Sequence, residues 1–144
     1  MFSWFQKRPI QKIGFEDILY VLKTPSNFAL INTLPVDMQD CLIKGTMRYE
    51  IEEKTINDYL NLPAAKYPTI ILYGKNSSDM SVDKKEQQLT ELGFTDVYIY
   101  GGGMLEWLLL QDIYGTSEFP TTSTLLDILR YKPTCIFQLP RISN

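Results

Sequence analysis

Thr69-Ile70-Ile71-Leu72-Tyr73-Gly74 is the stretch on which the reading of this chain turns. The run is short, mostly apolar and rich in β-branched and aromatic residues, the pattern of a strand covered on both faces. Ligands and catalysis in open α/β sheets gather at the carboxyl ends of such strands. The residue at that end is Gly74, which supplies no side chain where a nucleophile is expected.

Strands and helices alternate in both directions from it. Gln11-Lys12-Ile13 predicts a short strand, and Phe15 to Lys23 a helix with Phe15, Ile18, Leu19 and Leu22 at helical spacing, ended by Thr24-Pro25. Phe28 to Thr33 reads as the next strand, Pro35 to Asp40 as a turn, and Glu52 to Leu60 as a helix with Ile56, Tyr59 and Leu60 inward, stopped near Pro63. The paired acids Glu52-Glu53 suit a solvated first helical turn, where the dipole favours them. After Gly74 come a helix over Val82 to Leu92 with Leu89 and Leu92 toward the sheet, a strand over Asp96 to Tyr100, and a helix over Met104 to Gln111. This predicts a mainly parallel sheet with helices on both faces, Thr69 to Tyr73 interior and Trp107 buried.

Ile70-Ile71-Leu72-Tyr73-Gly74, Leu89-Thr90-Glu91-Leu92-Gly93-Phe94 with Val97-Tyr98, and Gly102-Gly103-Met104-Leu105-Glu106-Trp107 together resemble the second half of a rhodanese-like domain. In that family a Cys ends the central strand, the next helix closes with Leu-x-x-x-Gly-Phe, a Val-Tyr strand follows, and Gly-Gly-x-x-x-Trp opens the last helix. The first half is similar too. Ala29-Leu30-Ile31-Asn32-Thr33-Leu34 stands where the family has Leu-Ile-Asp-Val-Arg, and Cys41-Leu42-Ile43-Lys44-Gly45-Thr46 where it has Gly-His-Ile-Pro-Gly-Ala. The resemblance covers roughly residues 11 to 111. It implies a three-layer α/β/α fold over 11–115, with apolar extensions at 1–10 and 116–144, the latter holding a short helix and an extended tail.

The departures from the family pattern fall on its polar, chemistry-bearing positions. Gly74 replaces the sulfur-carrying Cys, Asn32 the Asp, Leu34 the Arg, Leu42 the His, and Asp79 a loop Arg. Sulfur transfer needs a thiolate held by loop N–H groups and nearby positive charge. Glycine has none to offer, and Asp79 brings negative charge. Lys75, Asn76, Ser77 and Ser78 can still present backbone N–H groups ahead of a helix as an anion loop; the plainer alternative is a solvated turn whose Asp79 caps that helix.

Other chemistry finds little support. Gly74-Lys75 is no phosphate loop, because Thr69 occupies the earlier glycine position and Asn76 replaces the magnesium-holding Ser/Thr. Gly101-Gly102-Gly103 lacks the third spaced glycine of a dinucleotide fingerprint and reads as a tight turn with close backbone approach. There is no His, which excludes His-based acid–base catalysis and a Ser-His-Asp triad. With only Cys41 and Cys135 as thiols, neither a zinc site nor a disulfide framework is expected, and no cofactor is implied.

At 144 residues, 44% hydrophobic and 22% charged, the composition suits one ordinary globular domain. A net charge of -3 without a Lys/Arg stripe argues against nucleic acid as a partner. No apolar run reaches the roughly 20 residues of a membrane span, and Met1-Phe2-Ser3-Trp4-Phe5 ahead of Lys7-Arg8 has the wrong order for a signal peptide. A cytosolic location is the expectation.

The carboxyl-terminal third departs from a plain rhodanese-like domain. Thr121 and Thr122 are placed to cap a helix over Leu125, Leu126 and Leu129, and Thr134-Cys135-Ile136-Phe137-Gln138-Leu139-Pro140 is apolar and extended. Such a tail either packs back on the domain or docks on a partner. Trp4, Phe5, Ile136, Phe137 and Leu139 are therefore the candidate partner contacts. The run from Gly101 to Thr122, with these apolar ends, is similar to the small rhodanese-like proteins of large DNA viruses of protists and algae, a likeness that implies an infected-cell or virion component. Two functions stay open: a non-catalytic module binding a protein or a second copy of itself, or an enzyme with chemistry relocated to Cys41 or to the loop at 74–79.

Overall fold

Residues 9–137 are described by the computed structural model of the protein. Four strands, β1 (Gln11–Ile13), β2 (Phe28–Asn32), β3 (Thr69–Tyr73) and β4 (Val97–Tyr100), form one parallel sheet in the order β1-β4-β3-β2. β3 is interior, its Ile70 opposite Ala29 on one side and Val97 on the other. Four helices connect or follow the strands: α1 (Phe15–Lys23), α2 (Tyr49–Leu60), α3 (Met80–Glu91) and α4 (Gly103–Tyr114).

Side chains of a strand alternate between faces, so a wholly apolar strand must feed two cores. Leu30, Ile71, Tyr73 and Tyr100 point to the face where α1 and α4 bring Ile18, Val21, Met104 and Trp107. Ala29, Ile31, Ile70, Leu72, Val97 and Ile99 point to the other, where Ile56 of α2 and Val82 and Leu89 of α3 lie. The three-layer arrangement read from the sequence is the observed one, and Trp107 is fully buried.

The helix ends differ from the expected ones for identifiable reasons. α2 starts at Tyr49, three residues before Glu52, because Arg48 stands at its N-cap without a side-chain hydrogen bond and so leaves no signal in the sequence. Glu52 still lies in the first turn, as expected, but its side chain is largely covered rather than solvated, its carboxylate 2.6 Å from Lys85 Nζ of α3. Leu92 follows the last turn of α3 and is 47% exposed, so only Leu89 of the expected pair reaches the sheet.

The largest correction concerns residues 116–131. Thr121 and Thr122 cap no helix. Instead Thr121 forms an antiparallel bridge with Ile43, Thr122 N–H donates to Leu42 C=O at 2.8 Å, and Thr122 Oγ1 accepts from Leu42 N–H at 3.0 Å. A single 3₁₀ turn over Ile128–Tyr131 follows. Leu125 is half-buried, whereas Leu126 and Leu129 face outward. Phe119 and Tyr131 are buried in the Trp107 cluster, so the first half of this extension shares the core of the domain. Ile136 and Phe137 are almost wholly exposed, and tail packing onto the domain does not extend to them. Trp4, Phe5 and Leu139 lie outside the described residues.

Candidate functional site

The loop leaving β3 is tied inward along its length. Gly74 C=O accepts from Met104 N–H and Lys75 C=O from Leu105 N–H, both at 2.9 Å. These are first-turn donors of α4, which need acceptors outside their own helix. So close an approach requires Gly103: its φ is +65°, and a Cβ there would fall 2.7 Å from Gly74 O. The Gly-Gly element of the sequence thus works as a tight turn packed against the loop.

Asp79 occupies the loop's centre. Its carboxylate accepts from Lys75 N–H at 2.8 Å through Oδ2, and through Oδ1 from Ser81 N–H at 3.0 Å and the Ser81 hydroxyl at 2.7 Å. Burial alone would raise its pKa. The bonds from Lys75 and Ser81 outweigh that and hold the carboxyl below its ordinary value. Asn76 closes the rest, with Oδ1 accepting from Ser78 N–H at 2.8 Å and Nδ2 donating to Tyr131 C=O at 2.7 Å. Of the four residues proposed as an anion loop, Lys75 and Ser78 therefore already give their N–H groups to side chains of the loop itself. A hollow lined by Asn76, Ser77, Asp79, Tyr100 and Gly101 measures about 10 Å³, room for about one water.

The other positions singled out in the sequence, Asn32, Leu34 and Leu42, do not line the hollow at this loop. Leu34 and Leu42 are buried in the α1/α4-side core. Asn32 is buried as well, its Oδ1 accepting from Leu34 N–H at 3.0 Å and its Nδ2 donating to Gln39 Oε1 at 3.4 Å. It lines an open depression of about 600 Å³ with Thr33, Gln39, Ser81 and Lys84, to which no residue from 74 to 79 contributes. Cys41 is fully buried, and its thiol donates to Ser123 C=O at 3.4 Å. Among the described residues no group of three or more His, Cys, Asp or Glu side chains could hold a metal ion, and no helix is long and apolar enough to cross a membrane.

One element of the site went unforeseen from the sequence. Tyr73 is completely buried, its hydroxyl accepting from Ile43 N–H at 3.1 Å and sharing a 2.6 Å hydrogen bond with Thr46. Desolvation pushes its pKa well above the ordinary phenol value. The tie joins the end of β3 to the segment 41–46. A tyrosine closing an apolar strand looks, in sequence, like any other β-former.

The model of the rhodanese-like domain matches residues 38–110, just over half of the chain. The protein belongs to the rhodanese-like family. Solved structures agree at the level of fold. The Alr3790 protein from Anabaena is 20% identical, with a TM-score of 0.56 over 82% of this chain and 97% of that one. The single-domain sulfurtransferase RDL2 of Saccharomyces cerevisiae is 14% identical, with a TM-score of 0.55 over 76% and 97%. Ygr203w, a yeast protein tyrosine phosphatase of the rhodanese family, is 14% identical, with a TM-score of 0.58 over 83% and 96%. No curated protein sequence matches the chain significantly. Within this rhodanese-like fold, Gly74 follows the end of β3, with the Asp79 carboxylate beside it.

Proposed function

We propose that the protein is a non-catalytic rhodanese-like module that acts by binding another protein or a second copy of itself, as a component of a larger assembly. The observation that carries the reading is the self-filled loop: Gly74 has no side chain, and Asp79 accepts the N–H bonds of Lys75 and Ser81. Sulfur transfer and phosphate-ester cleavage, the activities named for two of its structural neighbours, would each need a nucleophile at this place in the fold. The only thiol near the end of the sheet, Cys41, is shut from solvent.

Binding is supported by apolar side chains left in water. Ile113, Leu126, Leu129, Ile136 and Phe137 are each exposed by more than 60%, apolar surface available for a partner to cover. The likeness of the carboxyl-terminal run to viral rhodanese-like proteins makes an infected-cell or virion assembly the setting proposed here. Affinity purification of the tagged full-length chain from its native cell tests this. Co-purifying protein, or self-association, should be lost in the Ile136→Asp/Phe137→Asp variant; retention of the same partner by that variant would overturn the assignment of the contact.

A further inference from the structure

We propose that residues 119–131 form a strap over the carboxyl end of the sheet whose far half, beyond Ser123, opens locally while the near half and the rest of the domain stay folded. The near half is held by backbone. Pro120 C=O accepts from Lys44 N–H at 3.1 Å and from Trp107 Nε1 at 3.2 Å, and Thr122 is bonded to Leu42 in both directions. Beyond Ser123, whose hydroxyl donates to Asp40 C=O at 2.7 Å, the hold is sparser.

The far half returns through the 3₁₀ turn with Leu126 and Leu129 facing solvent, and three contacts bring its end down. Arg130 pairs with Asp40 through Nη1 at 3.3 Å and Nη2 at 2.5 Å, Tyr131 C=O accepts from Asn76, and the Tyr131 ring is buried. Two of the three carry a penalty. The Asp40 side chain is 60% exposed, so its ion pair is screened by water. The Tyr131 hydroxyl and Arg130 Nε are buried without a hydrogen-bond partner among the described residues, which makes the closed position costly for polar groups that water would otherwise satisfy. A segment with few regular backbone bonds and buried unpaired donors belongs to the low-stability end of a domain.

Lifting the strap uncovers Cys41, whose thiol lies under Ser123, and Asn76 of the loop. Cys41 is thus a built-in reporter of opening. The inference is independent of whether the loop is catalytically silent, because thiol trapping and sulfur transfer read different events.

The experiment uses the full chain carrying Cys135→Ser, so that Cys41 is the sole thiol, and follows its modification by an aromatic disulfide reagent in 0 to 1.5 M urea. Local opening exposes little surface, so the rate should be nearly flat with urea and faster than global unfolding allows. Arg130→Ala, or Asp40→Asn, which keeps the side-chain size, should raise the rate by up to about fivefold, the ceiling for an exposed ion pair, with the slope unchanged and with the amides of β3 still protected from exchange. A rate that climbs with urea as steeply as global unfolding does, or one that neither variant raises, would overturn the strap. Because either substitution removes the same ion pair, a folding defect in one leaves the other to decide.

Discussion

A Cβ built at Gly74 would fall 2.6 Å from Val82 Cγ2 and closer still to the Asp79 carboxylate. The neighbours of Gly74 have thus closed around the glycine. Gly74→Cys should cost about 1–3 kcal/mol, as other overpacking substitutions do, lowering the melting temperature by roughly 2–4 °C per kcal/mol. It should confer no sulfur transfer, since the new thiol would meet a carboxylate rather than a cation. Asp79→Ala removes the cap of α3 and should cost about 1 kcal/mol. The Asp79 pKa is depressed on folding, so its contribution is present above the unfolded value of 3.8 and is lost as pH falls through the lower folded value. Acid titration of stability should accordingly be shallower in Asp79→Ala than in the unmodified chain; identical profiles would count against the cap. Tyr73→Phe strips Ile43 N–H and Thr46 of a buried partner and should cost about 1–3 kcal/mol in a denaturant melt.

At the scale of elements, the strands and the α4 turn were the legible part. β3 and the Gly-Gly-x-x-x-Trp turn matched because an apolar run and a forced positive φ leave direct marks in sequence. The start of α2 left none, since Arg48 does not cap it. The segment after Gly115 misled because Thr-Thr followed by leucines is a helix-start pattern, while the long-range pairing of Thr121 and Thr122 with 42–43 is invisible locally. Asn32, Leu34 and Leu42 were recognisable as departures. That Asn32 bonds Leu34 N–H at one open depression, that Leu34 and Leu42 share a core, and that Tyr131 reaches Asn76, required the fold. Phe119, in ring contact with Trp107 at 5.0 Å, anchors the segment; Phe119→Ala should cost about 3–5 kcal/mol. Deleting residues 134–144 should instead shift the melt by no more than about 0.5 kcal/mol, as expected where Ile136 and Phe137 touch nothing that they bury. A large loss of stability would show that the tail packs on the domain after all.

For the whole molecule, the architecture is that of the rhodanese-like family. Two apolar cores on a four-strand parallel sheet keep the rhodanese-like fold, with Gly103 and Trp107 in the places that the fold demands. Gly74, Leu34 and Leu42 offer no polar side chain, and Asn32 and Asp79 are turned to internal hydrogen bonding. The most direct test of the central claim is a sulfur-transfer assay on the purified full-length chain, with thiosulfate or 3-mercaptopyruvate as donor and cyanide or a small thiol as acceptor, run beside the Cys41→Ser variant. Both proteins should give the same rate as buffer. Turnover by the unmodified chain that disappears in Cys41→Ser would contradict the account and assign the chemistry to a thiol reached by opening of the fold.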